Sequence, residues 1–357
     1  NISFLFMAKI SFLLKKKFFL FILSLIIIIN FPSLSFATES TSFKKKFSAT
    51  ILIYHRFGED EYPSTNVRIE QFNQHIEKLK SENFNIISLG KVIQAYEKNL
   101  SLPEKSITIT IDDAFESVYT HAWPILKREG IPFALFISTD TIGHKNYMSW
   151  EQIKELLNEG VEIGNHSSSH FHFNELSYEE IEKDVRDAKR KINQKLGLKK
   201  QIFSYPFGEY DLKFINIIKK IGFVAALGQQ SSVFNETEDL FQIPRFPINE
   251  EYGKIDRFDF IINLNSLRVT NIVPQDPNLQ HINPPAFGFN VLGESTNLNC
   301  FSNTGDEWKK EKLEILEDNR IEVILTKPFS KGRGRINCTR QNSKGEWEWM
   351  GKQFYIP

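Results

Sequence analysis

The feature that most constrains the fold is an alternation of short apolar runs with amphipathic helical segments over residues 49–227. Most of the runs are nearly continuously apolar, as strands covered on both faces are. They occupy residues 50–54, 106–111, 132–137, 161–164 and 223–227. Because strands that alternate with helices pair in parallel through right-handed crossovers, we predict an α/β barrel or an open α/β sheet.

Two of the intervening helices have clear ends. Ser149 and Ser177 each precede a helical pattern and are followed three residues later by Gln152 and Glu180, and Gly197 closes the second pattern. This spacing is typical of a capping box, and the glycine is typical of a helix C-terminus. In either α/β arrangement, catalytic and ligand-binding residues are expected at the carboxyl ends of the strands.

The character of the chain changes after about residue 267. A proline-rich stretch over 274–285 is followed by short β-like runs at 320–325 and 333–338 with no long helix between them. We therefore predict an α/β domain over residues 49–265 and a small all-β, sandwich-like domain over residues 266–357.

The N-terminus has the layout of a secretory signal peptide. Three lysines at 15–17 precede an apolar run over 18–29, and a small-residue site follows at 35–37. We predict that residues 1–37 are a signal peptide and that the protein is periplasmic or secreted. The alternative is an uncleaved membrane anchor, which would be the protein's contact with a membrane.

The charge balance excludes one class of partner. The chain has 44 basic and 44 acidic residues, and removal of residues 1–37 leaves 40 against 44, a net charge of −4. A protein without basic excess is not expected to bind nucleic acid. We expect a monomer.

Cys300 and Cys338 are the two cysteines of the chain. In an exported protein an oxidising compartment favours a disulfide between them. Two unpaired buried thiols are the alternative.

Three groups of polar residues follow strands, and the first is the pair Asp112 and Asp113. Neighbouring residues of an extended chain point in different directions, so one carboxylate can bind a cation while the other takes up a proton. Taken alone, such a pair is also typical of a turn or a helix cap.

The second group contains His166 and His170, with three serines between them. Two imidazoles at this spacing, on a helical turn or a tight loop, can reach one ion. Together with one aspartate they leave coordination positions open for water and substrate. A non-haem iron centre uses the same donor set, but the second, adjacent acid favours hydrolysis. Hydrogen-bonded structural histidines are the remaining alternative.

The third group runs from Ser204 to Gly208 and contains Pro206. Proline followed closely by glycine at a strand end fixes a turn, which can aim a backbone N–H outward. Taken alone, this group indicates only a loop.

Together, the groups resemble the motifs of the polysaccharide deacetylase family, carbohydrate esterase family 4. Its motifs read T-F-D-D-G, then H-[ST]-x-x-H, then R-x-P-x-G. The histidine motif matches at His166, Ser167 and His170, and the resemblance covers roughly residues 49–265. It implies a distorted (β/α) barrel and metal-dependent hydrolysis of N-acetyl groups on a glycan.

The resemblance also implies roles for individual residues. Asp113, His166 and His170 correspond to the metal ligands, and Asp112 corresponds to the general base. The backbone N–H of Phe207 corresponds to the donor that binds the developing oxyanion. We expect a divalent metal, Zn²⁺ in the first place, with Co²⁺, Ni²⁺ and Fe²⁺ as alternatives.

The chain departs from the family's motifs at several positions. Ile111 and Ala114 replace the usual Phe and Gly around the acid pair, so a turn that needs positive φ would be strained at Ala114. Ser204 stands where the third motif has Arg, which would remove a cation from beside Asp112. Arg245 is predicted to supply that charge from another strand end; a surface or linker arginine is the alternative.

A fifth motif, with the histidine that usually acts as general acid, is not evident in the sequence. His55 closes the first predicted strand, next to Tyr54, a pair that also resembles the start of poly-N-acetylglucosamine deacetylases. We predict that His55 acts as acid or as substrate-orienting group, with a structural histidine as the alternative. His281, in the proline-rich stretch, is the second candidate.

We therefore expect a hydrolase that removes N-acetyl groups from a polysaccharide containing N-acetylglucosamine, either an exopolysaccharide or a cell-wall glycan. An O-acetyl esterase and a catalytically weak glycan-binding module are the alternatives. Trp347 and Trp349 could stack on sugar rings, but alternating aromatics more often form a sandwich core.

Overall fold

A computed structural model describes residues 47–305 and 307–357, so the predicted signal peptide over residues 1–37 lies outside the described residues. The α-helices of the described part are α1 (Ile69–Ser81), α2 (Leu89–Glu97), α3 (Trp123–Arg128), α4 (Trp150–Asn158), α5 (Tyr178–Leu196), α6 (Leu212–Ile221) and α7 (Ile255–Ile262). Within these residues no helix combines the length and the apolar character that a bilayer span requires.

The first part of the chain forms a largely parallel sheet. Its strands, with a separate small pair β2 and β3, are β1 (Ser48–Tyr54), β2 (Arg56–Phe57), β3 (Asn66–Val67), β4 (Asn85–Ile86), β5 (Ser106–Asp112), β6 (Phe133–Ile137), β7 (Glu162–Asn165), β8 (Phe203–Ser204), β9 (Ala226–Leu227), β10 (Phe234–Asn235) and β11 (Phe246–Pro247). The main path is β10-β1-β5-β6-β7-β8-β9, with β4 beside β5 and β11 beside β1. Only the β1–β10 pairing in this sheet is antiparallel.

A single segment brings the two ends of this curled sheet together. Ile243 pairs with Leu227 of β9, and three residues later Phe246 of β11 pairs with Leu52 of β1. The segment therefore bridges the far strand and the first strand. The predicted α/β class and distorted barrel are confirmed, and Arg245 lies in the bridging segment.

The predicted helix starts are also confirmed. Ser149 accepts a hydrogen bond from the backbone N–H of Gln152, and Ser177 accepts one from that of Glu180. The strand predicted over 223–227 is shorter and comprises β9 alone. Phe223, the first residue of the predicted strand, instead belongs to the C-terminal end of α6, because its N–H donates to the Ile218 carbonyl.

The C-terminal part is all-β and sandwich-like, as predicted. Its strands are β12 (Asn265–Ser266), β13 (Val269–Val273), β14 (Phe287–Val291), β15 (Asn299–Asn303), β16 (Trp308–Lys310), β17 (Lys312–Ile315), β18 (Arg320–Ile324), β19 (Gly332–Gln341) and β20 (Trp347–Ile356). One sheet has the order β12-β20-β19-β15-β16 and the other β13-β14-β18-β17. Phe287 and Phe289 of the second sheet share a core with Phe354 of the first. The boundary between residues 265 and 266 stays a prediction, since β12 spans it.

The aromatic residues near the C-terminus mostly belong to cores. Phe354 and Tyr355 are buried, and Trp349 packs against Phe260 of α7. Trp347 is 39% exposed. Packing in a core therefore describes this group better than stacking on sugar rings does.

Cys300 and Cys338 form the predicted disulfide. They are opposite each other on the neighbouring strands β15 and β19, and both are buried in the sandwich core. The bond thus joins two strands that are already adjacent in the folded sheet, so its main effect is on the unfolded chain.

Replacement of both cysteines with serine is expected to lower the free energy of unfolding by about 4 kcal/mol, because the bond closes a long loop in the unfolded chain. Denaturant unfolding of both proteins, followed by tryptophan fluorescence, measures the difference. Reductant should destabilise the unaltered protein and leave the double variant unchanged. Equal stability of the two proteins without reductant would contradict the prediction.

Candidate metal centre

Connections at the carboxyl ends of β5, β7 and β8 form the candidate site. Asp112 is the last residue of β5, and the chain then turns at Asp113 and Ala114, where φ is 75° and 55°. His166 directly follows β7, and Ser204 ends β8. Because these strands are parallel and lie in one sheet, their carboxyl ends share one edge and bring the side chains together.

The three residues predicted as metal ligands converge. One donor atom from each of Asp113, His166 and His170 lies within 4.8 Å of the others. Oδ1 of Asp113 is 3.4 Å from Nε2 of His166 and 3.2 Å from Nε2 of His170. This buried oxygen has no hydrogen-bond partner among the described residues. A buried carboxylate oxygen facing two imidazole nitrogens fits a divalent cation. The role of the three residues stays a prediction.

The orientation of the first imidazole suits metal binding. Nδ1 of His166 is 2.8 Å from the carbonyl oxygen of Ser204. Because a carbonyl only accepts, Nδ1 carries the proton and Nε2 keeps its lone pair for a ligand bond. Burial lowers the pKa of His166 to about 4, despite the opposing attraction of Asp112. The imidazole is therefore neutral at pH 7, as a metal ligand must be.

The histidine motif forms a tight loop rather than a helical turn. Ser167 and His170 both have positive φ, at 70° and 55°. The Ser167 hydroxyl accepts a hydrogen bond from the His170 backbone N–H at 2.9 Å, and the Asn165 side chain accepts one from the Ser167 N–H at 2.8 Å. These short bonds curl the backbone so that both imidazoles face Asp113.

Asp184 of α5 holds the same loop from outside, and sequence reasoning missed it. Its carboxylate accepts hydrogen bonds from the Ser168 N–H at 2.7 Å, the Ser169 N–H at 3.1 Å and the Ser169 hydroxyl at 2.7 Å. Burial raises the pKa of Asp184, although these donors oppose the shift. An acid on a highly charged helix carries no local signal of such a contact.

Asp112 forms a buried ion pair with Arg245. Both side chains are fully buried, and the guanidinium binds the carboxylate through two bonds, Nη1 to Oδ1 at 2.8 Å and Nη2 to Oδ2 at 2.9 Å. Burial acts to raise the pKa of Asp112, but the attraction and hydrogen bonds of Arg245, together with the attraction of His166 and His55, outweigh burial, so the pKa lies below its usual value. The carboxylate is therefore ionised at neutral pH, and Arg245 lies where the prediction placed a cation.

Ser204 stands where the third motif has Arg, and the cation beside Asp112 comes from Arg245 instead. The Ser204 hydroxyl donates to Oδ2 of Asp112 at 3.0 Å and accepts from Nη2 of Arg245 at 2.8 Å. The small side chain thus bridges the acid and an arginine from the segment that precedes β11. The expected positive φ at Ala114 is present, and its side chain is buried.

His55, Phe207 and His281 are the remaining residues that the sequence analysis considered for the site. His55 is half-buried, and burial lowers its pKa even though Asp113 and Asp112 act to raise it. A neutral imidazole fits the predicted orienting role better than the predicted acid role. Phe207, at φ 57°, lies in the turn Pro206–Gly208, which we call the Phe207 turn, and its ring packs edge-on against His170 at 4.5 Å. His281 is exposed in the connection between β13 and β14.

Comparisons with known proteins agree with this architecture. Residues 99–226 match the family model described as polysaccharide deacetylase. A poly-β-1,6-N-acetyl-D-glucosamine N-deacetylase of Staphylococcus aureus (strain MSSA476) is 25% identical over 272 residues, covering 66% of this chain and 93% of the relative. The solved structure of IcaB from Ammonifex degensii has a TM-score of 0.54 at 24% identity, covering 58% of this chain and 95% of that one. The Streptococcus pyogenes deacetylase PplD in complex with acetate has a TM-score of 0.53 at 22% identity, covering 57% and 92%.

Replacement of Asp184 with alanine is expected to weaken Zn²⁺ binding by about 10- to 100-fold, because the loop between the two histidines loses its support. Competition with a chromophoric chelator measures the dissociation constant. Asp187→Ala is the matched control, since Asp187 is on the same helix and pairs with Lys183. Equal Zn²⁺ affinity of the two variants would contradict the prediction.

Proposed function

We propose that this chain, whose residues 99–226 match the polysaccharide deacetylase family model, is a metal-dependent hydrolase that removes N-acetyl groups from a polysaccharide containing N-acetylglucosamine. The observation that carries the proposal is that two adjacent acids have different partners. Asp113 faces two imidazoles, whereas Asp112 binds Arg245. The substrate class is extended from the Staphylococcus aureus relative, whose name states its action on poly-β-1,6-N-acetylglucosamine.

Asp113, His166 and His170 would hold the cation, which we propose to be Zn²⁺, with Co²⁺, Ni²⁺ and Fe²⁺ as alternatives. A bound divalent cation lowers the pKa of water and polarises the acyl oxygen of the substrate. The neutral His166 and the ionised Asp113 are in the protonation states that such a site needs at pH 7.

Asp112 is the proposed general base. Its Oδ2 is 3.7 Å from Nε2 of His166, so the carboxylate borders the metal position. Asp112 takes a proton from the water that adds to the acyl carbon, and Arg245 keeps Asp112 ionised before that step. When the carbon–nitrogen bond breaks, the leaving nitrogen needs a proton, and the one held by Asp112 is available for it.

Phe207 and His55 complete the proposed site. The backbone N–H of Phe207 would donate to the oxyanion that develops on the acyl oxygen, and its place in a turn beside His170 supports this role. His55 would orient the acetamido group as a neutral imidazole. We also propose that the protein is exported to the periplasm or secreted, on the strength of the signal-peptide pattern over residues 1–37.

Replacement of Asp112 with asparagine is expected to reduce acetate release from N-acetylglucosamine oligomers at least 100-fold, because asparagine cannot take up the proton. A chelator should abolish release by the unaltered protein, and added Zn²⁺ should restore it. Asp256→Asn, at an exposed position in the first turn of α7, is the control and should retain full activity.

The same assay separates the alternatives. β-1,6-linked oligomers, chitin oligomers and peptidoglycan would be compared with an O-acetylated glycan. Acetate release from the O-acetylated glycan alone would contradict the proposal in favour of an esterase. Glycan binding without any acetate release would contradict it in favour of a binding module.

Replacement of Arg245 with methionine is expected to move the acid limb of the pH profile of kcat/KM to higher pH. Without the guanidinium, only the attraction of His166 and His55 opposes the effect of burial, so the pKa of Asp112 rises and the base becomes protonated at higher pH. Arg245→Lys keeps a cation and should leave the limb near its original position. An unchanged limb in Arg245→Met would show that this pair does not control the base.

A further inference from the structure

Both faces of the hairpin of β19 and β20 pack against other parts of the protein, although the side chain of Arg333 remains 35% exposed. Phe354 points into the sandwich core. Arg333 lies opposite Tyr355, and Arg335 lies opposite Gln353. Because side chains alternate along a strand, these four point to the other face, where they meet the connections that follow β7 and β8. The hairpin lies beyond residues 99–226, to which the family model is matched.

Two side chains of this face bind carbonyl oxygens of the Phe207 turn. Nε2 of Gln353 donates to the Gly208 carbonyl at 3.0 Å, and Nη1 of Arg333 donates to the Phe207 carbonyl at 3.3 Å. Nε of Arg335 donates to Oε1 of Gln353 at 3.2 Å. Because arginine has no acceptor, this bond fixes the amide with its NH₂ group toward the turn.

The same face supports the connection that carries His170. Glu209 is 4% exposed and accepts hydrogen bonds from the Phe173 N–H at 3.2 Å and from Nδ1 of His172 at 3.3 Å. Nε of Arg333 lies 3.8 Å from this carboxylate. Tyr355 packs edge-on against the Phe173 ring at 5.3 Å. The hairpin therefore contacts two of the three connections that form the candidate metal centre.

We propose that the C-terminal β part is a positioning element of the active site, in which Gln353 and Arg333 hold the Phe207 turn. This inference rests on the proposed function. Phe207 has a left-handed backbone conformation, which is costly for a residue with a side chain and needs support from its surroundings. Anchoring the carbonyls of Phe207 and Gly208 supplies that support and fixes the direction of the Phe207 N–H.

The expected effect is on turnover rather than on substrate binding. A donor to the developing oxyanion strengthens its bond in the transition state, so a misplaced turn lowers kcat and leaves KM nearly unchanged. Because Arg333 and Gln353 donate to carbonyls of the Phe207 turn and not to the loop between His166 and His170, the Zn²⁺ affinity should stay unchanged. A general loss of folding would instead lower the melting temperature and the fraction of active protein.

The experiment uses the full protein and the variants Arg333→Ala and Gln353→Ala. Both are expected to lower kcat for acetate release about tenfold with KM within about twofold of the original. Amide hydrogen exchange in peptides covering residues 203–210 is expected to become faster in both. Arg333→Lys should recover much of the lost kcat, because a lysine can still donate to a carbonyl.

Gln341→Ala is the matched control, since Gln341 is in the same hairpin and donates to the carbonyl of Gly345. It should match the unaltered protein in kcat and in exchange over residues 203–210. Unchanged kcat in an active Arg333→Ala variant, or unchanged exchange over 203–210, would overturn the positioning role and leave the proposed function standing. If the unaltered protein releases no acetate, the proposed function fails, and exchange in the variants then decides whether the hairpin holds the turn.

Discussion

The buried pair of Arg245 and Asp112 is the interaction on which the rest of the site depends. Either charge alone in the barrel interior would cost several kcal/mol, so the fold has to bring both to the same place. The guanidinium also donates to the carbonyl of Gly228 and to the hydroxyls of Thr110 and Ser204. Since Arg245 lies on the segment that joins the two ends of the sheet, closure of the barrel and ionisation of Asp112 are physically linked.

The left-handed turn after β5 explains how two consecutive acids take different surroundings. Asp112 still belongs to the strand and faces the barrel interior. The chain then adopts positive φ at Asp113 and Ala114, which turns the second carboxylate toward the histidines. A glycine would adopt that conformation without strain, whereas Ala114 adopts it at a local conformational cost. The surrounding packing, in which the Ala114 side chain is buried, holds the turn.

The C-terminal sandwich extends this arrangement. Its hairpin has one face in the sandwich core and the other against the connections at the strand ends, so one pair of strands belongs to two cores. Tyr355 belongs to the same apolar cluster as Phe203 and Tyr205, which flank the end of β8. Trp349 donates from its indole N–H to the Ser231 carbonyl at 2.8 Å, which adds a further polar contact with the α/β part. The two parts therefore share both apolar packing and hydrogen bonds.

The features that depend on short spacings could be predicted from the sequence alone. The alternation of strands and helices, the caps at Ser149 and Ser177, and the convergence of Asp113 with His166 and His170 follow from residues a few positions apart, or from strand ends that a parallel sheet must bring together. The sequence left Arg245 open between a cation of the site and a surface or linker arginine. Its position beside Asp112, the bridge formed by Ser204, and the contacts of Asp184 and Gln353 with the connections are seen only in the folded structure. Those contacts join residues far apart in the chain, and they depend on how the barrel closes and on which face of a helix or hairpin meets a loop. Local residue patterns do not predict that geometry.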